Sequence, residues 1–162
     1  FISQPDSLSS MDPVLFSFLL MSPTKKEIMD FRTAIEREVL YMAVRNADEG
    51  DIEALRENLE RFKGISGNGR EINEEKLETD LEFHHLLGQA THNGFMERVY
   101  AFAMNYFSPY LLKTYENQDD VPNLSVRCHE MLMEPIVKKD MSLVEGAIKD
   151  SNDIWISLAM LI

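Results

Sequence analysis

One cysteine, Cys128, in 162 residues has no partner for an intramolecular disulfide, a shortage that fits a reducing, cytoplasmic setting. Nor is there a run of the ~18 to 20 apolar residues that a bilayer-spanning helix needs. The most apolar stretch, Val14 to Met21, is too short for that. It also lacks the basic flank and small-residue cleavage site of a signal peptide. Positive charge is scarce: 16 Lys and Arg stand against 28 Asp and Glu, a net charge of −12. A phosphate-neutralising surface needs the opposite balance, so the chain by itself is not expected to hold nucleic acid. Also missing are a P-loop, a dinucleotide-binding glycine pattern and a nucleophile elbow. No segment alternates apolar and polar residues long enough to read as a strand.

What is present is helical periodicity. A polar strip and a short apolar helix over Pro13 to Met21 come first. A capping box then opens a longer helix, with Thr24 at the cap and Glu27 reaching back; its apolar face reads Ile28, Phe31, Ile35, Val39 and Met42. Asp51 is the expected cap of a third helix, with Ile52, Leu55, Leu59 and Phe62 inward and Gly64 closing it. A glycine-rich loop follows from Gly64 to Arg70. Asn73 is the expected cap of a fourth helix running to about His92. A fifth carries Phe95, Val99, Phe102, Tyr106 and Phe107, with Pro109 placed to kink or shorten it. Lys113 to Pro122 reads as a polar connection, and two more helices cover about Asn123 to Lys138 and Ser142 to Met160. The sum is all-α, an antiparallel bundle of about six or seven helices.

Within a bundle, ionisable groups on inward faces carry the functional information. Leu77, Asp80, Leu81, His84 and Gly88 share one stripe, so Asp80 and His84 project together. A carboxylate and an imidazole at that spacing suit a divalent metal, although such a pair is more often a surface or capping pair. His129 shares a face with Leu132 and Ile136 and is placed to join them across the bundle. Leu143, Ala147, Ser151, Ile154 and Leu158 make Ser151 another inward polar residue. Arg32 is placed to pair with Glu36 or with a ligand carboxylate. His85 and His92 read as surface residues. Glu82-x-x-His85 is one half of a di-iron signature without its second half. Cys128 and His129 are helix neighbours pointing about 100° apart, which prevents a nucleophile–base pair.

These residues, in this order, resemble the C-terminal FCD domain of the FadR subfamily of GntR-type transcription regulators. Phe31-Arg32 through Ile35-Glu36 to Ala43 is similar to the family's arginine and glutamate helix. Asp80-Leu81-Glu82-Phe83-His84 resembles its D-x-x-F-H signature, and Ala90-Thr91-His92-Asn93 the turn after it. His129, Ile136 and Asp140 keep the spacing of its next helix. Phe1-Ile2-Ser3 looks like the end of the wing of a winged helix-turn-helix. The resemblance therefore implies that residues 1–10 are wing and linker, and that 11–162 are a helical effector-binding domain. It implies a homodimeric, non-enzymatic, cytoplasmic regulator that touches DNA only through an N-terminal domain upstream of Phe1.

The implied effector is a small organic acid. The implied metal, zinc-, nickel- or manganese-like, would be held by Asp80, His84 and His129. The family's fourth ligand, a histidine, falls on Ser151 here, with Asn152 beside it as a possible substitute. Arg32, Asn93 and Ser151 are the implied effector contacts. Two other readings stay open: a metal-dependent helical-bundle enzyme, and a metal-free sensor of the acyl-CoA type, which the stretch Asp150 to Trp155 resembles.

Overall fold

Thr24 and Glu27 form the expected capping box. In the computed structural model, which describes residues 21, 24–67, 69–117 and 121–159, the Thr24 hydroxyl accepts from the Glu27 amide at 3.3 Å. The Glu27 carboxylate accepts from the Thr24 amide at 2.8 Å. Two amides that a helix start leaves orphaned are thereby satisfied, and helix α1 runs Lys25–Asn46. It is followed by α2 (Glu49–Gly64), α3 (Arg70–Gln89), α4 (Gly94–Asn117), α5 (Val121–Lys138) and α6 (Val144–Ala159). A 3-10 turn, Met141–Leu143, leads into α6, with Asp140 capping it. No strand occurs among the described residues, and none of their helices is long and apolar enough to cross a membrane. The wing and linker expected at 1–10 lie outside the described residues. So does the helix expected from Pro13, except for its end at Met21, which is exposed and not helical.

Four helix ends differ from the sequence reading. α2 is capped by Asp48 rather than Asp51: Asp48 accepts from the Asp51 amide at 3.0 Å, and Asp51 accepts from the Asp48 amide at 2.8 Å. This is a second capping box, with an aspartate in the returning role. α3 starts at Arg70 behind Gly69, whose φ of 128° a residue with a β-carbon rarely adopts; Asn73 is buried within the helix instead of capping it. The helix stops at Gln89, and His92 turns the chain with a left-handed φ of 49°. α4 runs on through Pro109 to Asn117, so Lys113 is helical and not part of a connection. Proline has no amide to give the Asn105 carbonyl one turn back, and the Ser108 hydroxyl donates to that carbonyl at 2.8 Å.

Two buried faces are rotated from their expected positions. On α1, Phe31 is 46% exposed, while Arg32, Glu36, Val39, Leu40, Ala43 and Val44 are buried. On α4, Phe95 is 79% exposed, whereas Tyr100, Ala103, Met104, Phe107, Leu111 and Tyr115 are buried. A one-residue shift turns a helix by about 100°, enough to exchange a rim position for a core one.

α1 packs against α3, α4, α5 and α6; α3 lies along α4, α5 along α6, and α2 against α3 and α5. The main core joins Val39 and Leu40 of α1 to Phe83, Tyr100, Leu132, Ile136 and Ile148. Each such buried side chain contributes roughly 1.5–3 kcal/mol against exposure. A second cluster gathers Phe62, Leu111, Tyr115, Cys128 and Trp155. His129 stacks on Phe83 of the first cluster and lies 5.7 Å, ring to ring, from Phe62 of the second. The polar interior sits where the two clusters meet.

Candidate metal and effector site

α3 presents Asp80 and His84 on one face, one turn apart, and α5 brings His129 against them. All three are buried. Each offers a ligand atom, and these atoms lie within 4.8 Å of one another. His129 Nε2 is 3.4 Å from Asp80 Oδ1, and His84 Nε2 is 3.8 Å from Asp80 Oδ2. The two imidazoles meet edge to face, centroids 5.1 Å apart. His84 Nε2 and both ring nitrogens of His129 have no hydrogen-bond partner. Buried polar atoms left in this state are costly, and a cation among them would engage His84 Nε2 and one nitrogen of His129 together with the carboxylate. The donor set, one hard oxygen and two imidazole nitrogens, suits a zinc-, nickel- or manganese-like ion. The residues present therefore fit a metal.

Electrostatics point the same way. Burial raises the Asp80 carboxyl, but the electrostatic pull of the His129 ring at 3.4 Å, with His84 and Arg32 beyond, brings it down to about 2. Burial holds His84 well below its usual value, against the pull of Asp80, so at neutral pH its ring is uncharged and able to act as a ligand.

The outer partners were not legible as site residues. Tyr115 Oη donates to Asp80 Oδ1 at 3.1 Å and lies 3.0 Å from Ser125 Oγ. Tyr100 Oη donates to Glu36 Oε1 at 3.0 Å and lies 2.7 Å from His84 Nδ1. Both tyrosines are buried, which pushes their hydroxyls well above the usual phenol range and keeps the protons on. The available signal was general: a phenol on a core helix needs a polar partner.

Arg32 is buried too, 4.0 Å from Glu36. Its guanidinium packs 4.4 Å from the ring centroid of Trp155 and 5.8 Å from that of Phe107, contacts that favour a cation on an aromatic face. Its Nε has no partner, and neither do Ser151 Oγ, Asn152 Oδ1 and Glu36 Oε2. Ser151 and Asn152 are both buried on α6. Asn93, by contrast, is exposed: its Oδ1 accepts from the Phe95 and Met96 amides at 3.1 and 3.2 Å and caps α4.

The enzyme-like pairs are not assembled. His85 is exposed and Glu82 pairs with Arg61. Cys128 donates to the Ser151 carbonyl, and burial pushes its thiol up to about 11. A thiol held protonated in this way is a poor nucleophile.

The family described as the FCD domain matches residues 27–151, a span that contains every residue of this buried polar group except Asn152 and Trp155. Among curated proteins, none matches the chain.

Proposed function

We propose that this chain, which belongs to the FCD-domain family, senses a small organic acid through one divalent cation held by Asp80, His84 and His129. The FCD domain is the C-terminal ligand-sensing domain of GntR-type transcription regulators, so the activity assigned is effector binding. Membership of the FadR subfamily belongs to the same proposal.

The supporting observation is the convergence of three buried ligand atoms, two of them imidazole nitrogens without hydrogen-bond partners. A bound ion would supply Lewis-acidic positive charge for an effector carboxylate. Arg32, held against Trp155, supplies a second donor for that carboxylate. By the spacing of the resemblance the family's fourth ligand falls on Ser151, beside Asn152, and neither is a histidine, so a coordination position is left for water or the effector itself. The effector then favours one packing of a homodimer, and with it one spacing of DNA readers located outside this chain. The acidic balance of the chain supports leaving DNA contact to those readers.

Ser151 favours a second reading, a metal-free polar pocket in the same place. Titration of chelator-treated protein with zinc, nickel and manganese separates the two. Binding of about one ion per chain, lost in His84→Ala, supports the metal reading. Absence of binding for all three ions overturns it. Mass spectrometry of ligand co-purified with the native protein then tests whether an organic acid is the effector.

A further inference from the structure

We infer that Tyr100, backed by Glu36, is a positioning residue that fixes the His84 ring as its Nδ1–H tautomer and turns the Nε2 lone pair toward Asp80 and His129. The inference deepens the metal reading above and rests on it for its purpose, although not for its geometry.

Three helices supply the parts: Glu36 from α1, His84 from α3 and Tyr100 from α4. Tyr100 Oη lies 3.0 Å from Glu36 Oε1 and 2.7 Å from His84 Nδ1. A phenol has one proton, and a carboxylate only accepts. The Tyr100 proton therefore goes to Glu36, and the short contact to His84 is a hydrogen bond only if Nδ1 carries the hydrogen. Glu36 Oε1 also lies 3.6 Å from His84 Nδ1, and its negative charge favours a proton on that nitrogen.

The opposite tautomer has two routes, both unfavourable. With Tyr100 still bonded to Glu36, two lone pairs would face each other across 2.7 Å. With the Tyr100 proton turned to Nδ1, Glu36 Oε1 would lose that donor, while Oε2 has no partner. Glu36 is 0% exposed, so bulk water does not replace the lost bond.

The consequence falls on Nε2. It has no hydrogen-bond partner and lies 3.8 Å from Asp80 Oδ2. A lone pair aimed at a carboxylate is repelled unless a cation comes between them. Histidine ligands commonly give their second N–H to a carboxylate or carbonyl that orients the ring. Here one phenol stands between the ring and the carboxylate.

Nitrogen-15 NMR of the histidine rings in chelator-treated protein tests this without any metal. The expected spectrum of His84 shows a protonated Nδ1 and an unprotonated Nε2. Tyr100→Phe removes the acceptor, and in Glu36→Gln the amide can donate to the Tyr100 oxygen, freeing the phenol proton for Nδ1. Both variants are expected to shift His84 toward the Nε2–H form and to weaken zinc binding about 10- to 100-fold in chelator competition. An Nε2–H tautomer in the native protein overturns the inference, as do folded variants with unchanged tautomer. Should Tyr100→Phe fail to fold, the native spectrum and Glu36→Gln still decide. If the native protein binds no zinc, the metal reading fails, and the native tautomer still settles this one.

Discussion

Phe83 and His129 stack face to face, ring centroids 3.9 Å apart and 6° from parallel. The contact ties α3 to α5 on the apolar side of the polar group and holds the His129 ring plane. Phe83 is wholly buried, whereas Phe95 is 79% exposed. Phe83→Ala is expected to cost about 3–5 kcal/mol in urea denaturation. Phe95→Ala is expected to stay within about 0.5 kcal/mol of the parent. Equal costs for the two would contradict the observed face of α4.

Acid should destabilise the metal-free protein in two stages. The folded-state value of His84 lies well below 6.5, so the unfolded chain takes up its proton first and stability falls as pH drops below that value. Asp80 is depressed from 3.8 to about 2, so its contribution is complete above about 3.8 and is lost as pH falls toward about 2. One differential proton changes stability by about 1.4 kcal/mol per pH unit. Urea midpoints measured between neutral and mildly acidic pH should decline, and His84→Gln should flatten that decline. A midpoint unchanged with pH through that range would contradict the burial of a neutral His84.

Ser151→His should tighten zinc binding and reduce its dependence on added organic acid. The residue is buried at 0% exposure, and its hydroxyl has no partner. An imidazole there completes a set of one carboxylate and three nitrogens. Chelator competition with the purified variant reads the change. Unaltered or weaker zinc affinity in a folded variant would place Ser151 away from the coordination sphere.

Several features of the protein are legible in its sequence alone. Spacings of three and four located the helices. The Thr24 and Glu27 pair marked one start correctly, because a capping box is local chemistry within four residues. Asp80 and His84 were recognisable as a pair because a helix alone brings side chains one turn apart together. The order of Arg32, Glu36, Asp80, His84 and His129 along the chain carried the family resemblance.

Other features depended on how the helices meet. The apolar stripe of α1 reads with Phe31 inward and leaves Arg32 beside it, yet the packed bundle buries the arginine against Trp155 and leaves the phenylalanine at the surface. Periodicity defines a stripe to within about one residue, or about 100° of rotation, and the neighbouring helices choose within that range. Tyr100 and Tyr115 share α4 with other aromatics and carry no local mark of their roles. They become partners of His84 and Asp80 because α4 lies along α3. Sequence thus determined the helices and the identity of the candidate ligands, since both depend on interactions within a turn or two. Tertiary structure decided which polar groups are buried, paired or left without partners, since each of those states depends on what another helix places opposite.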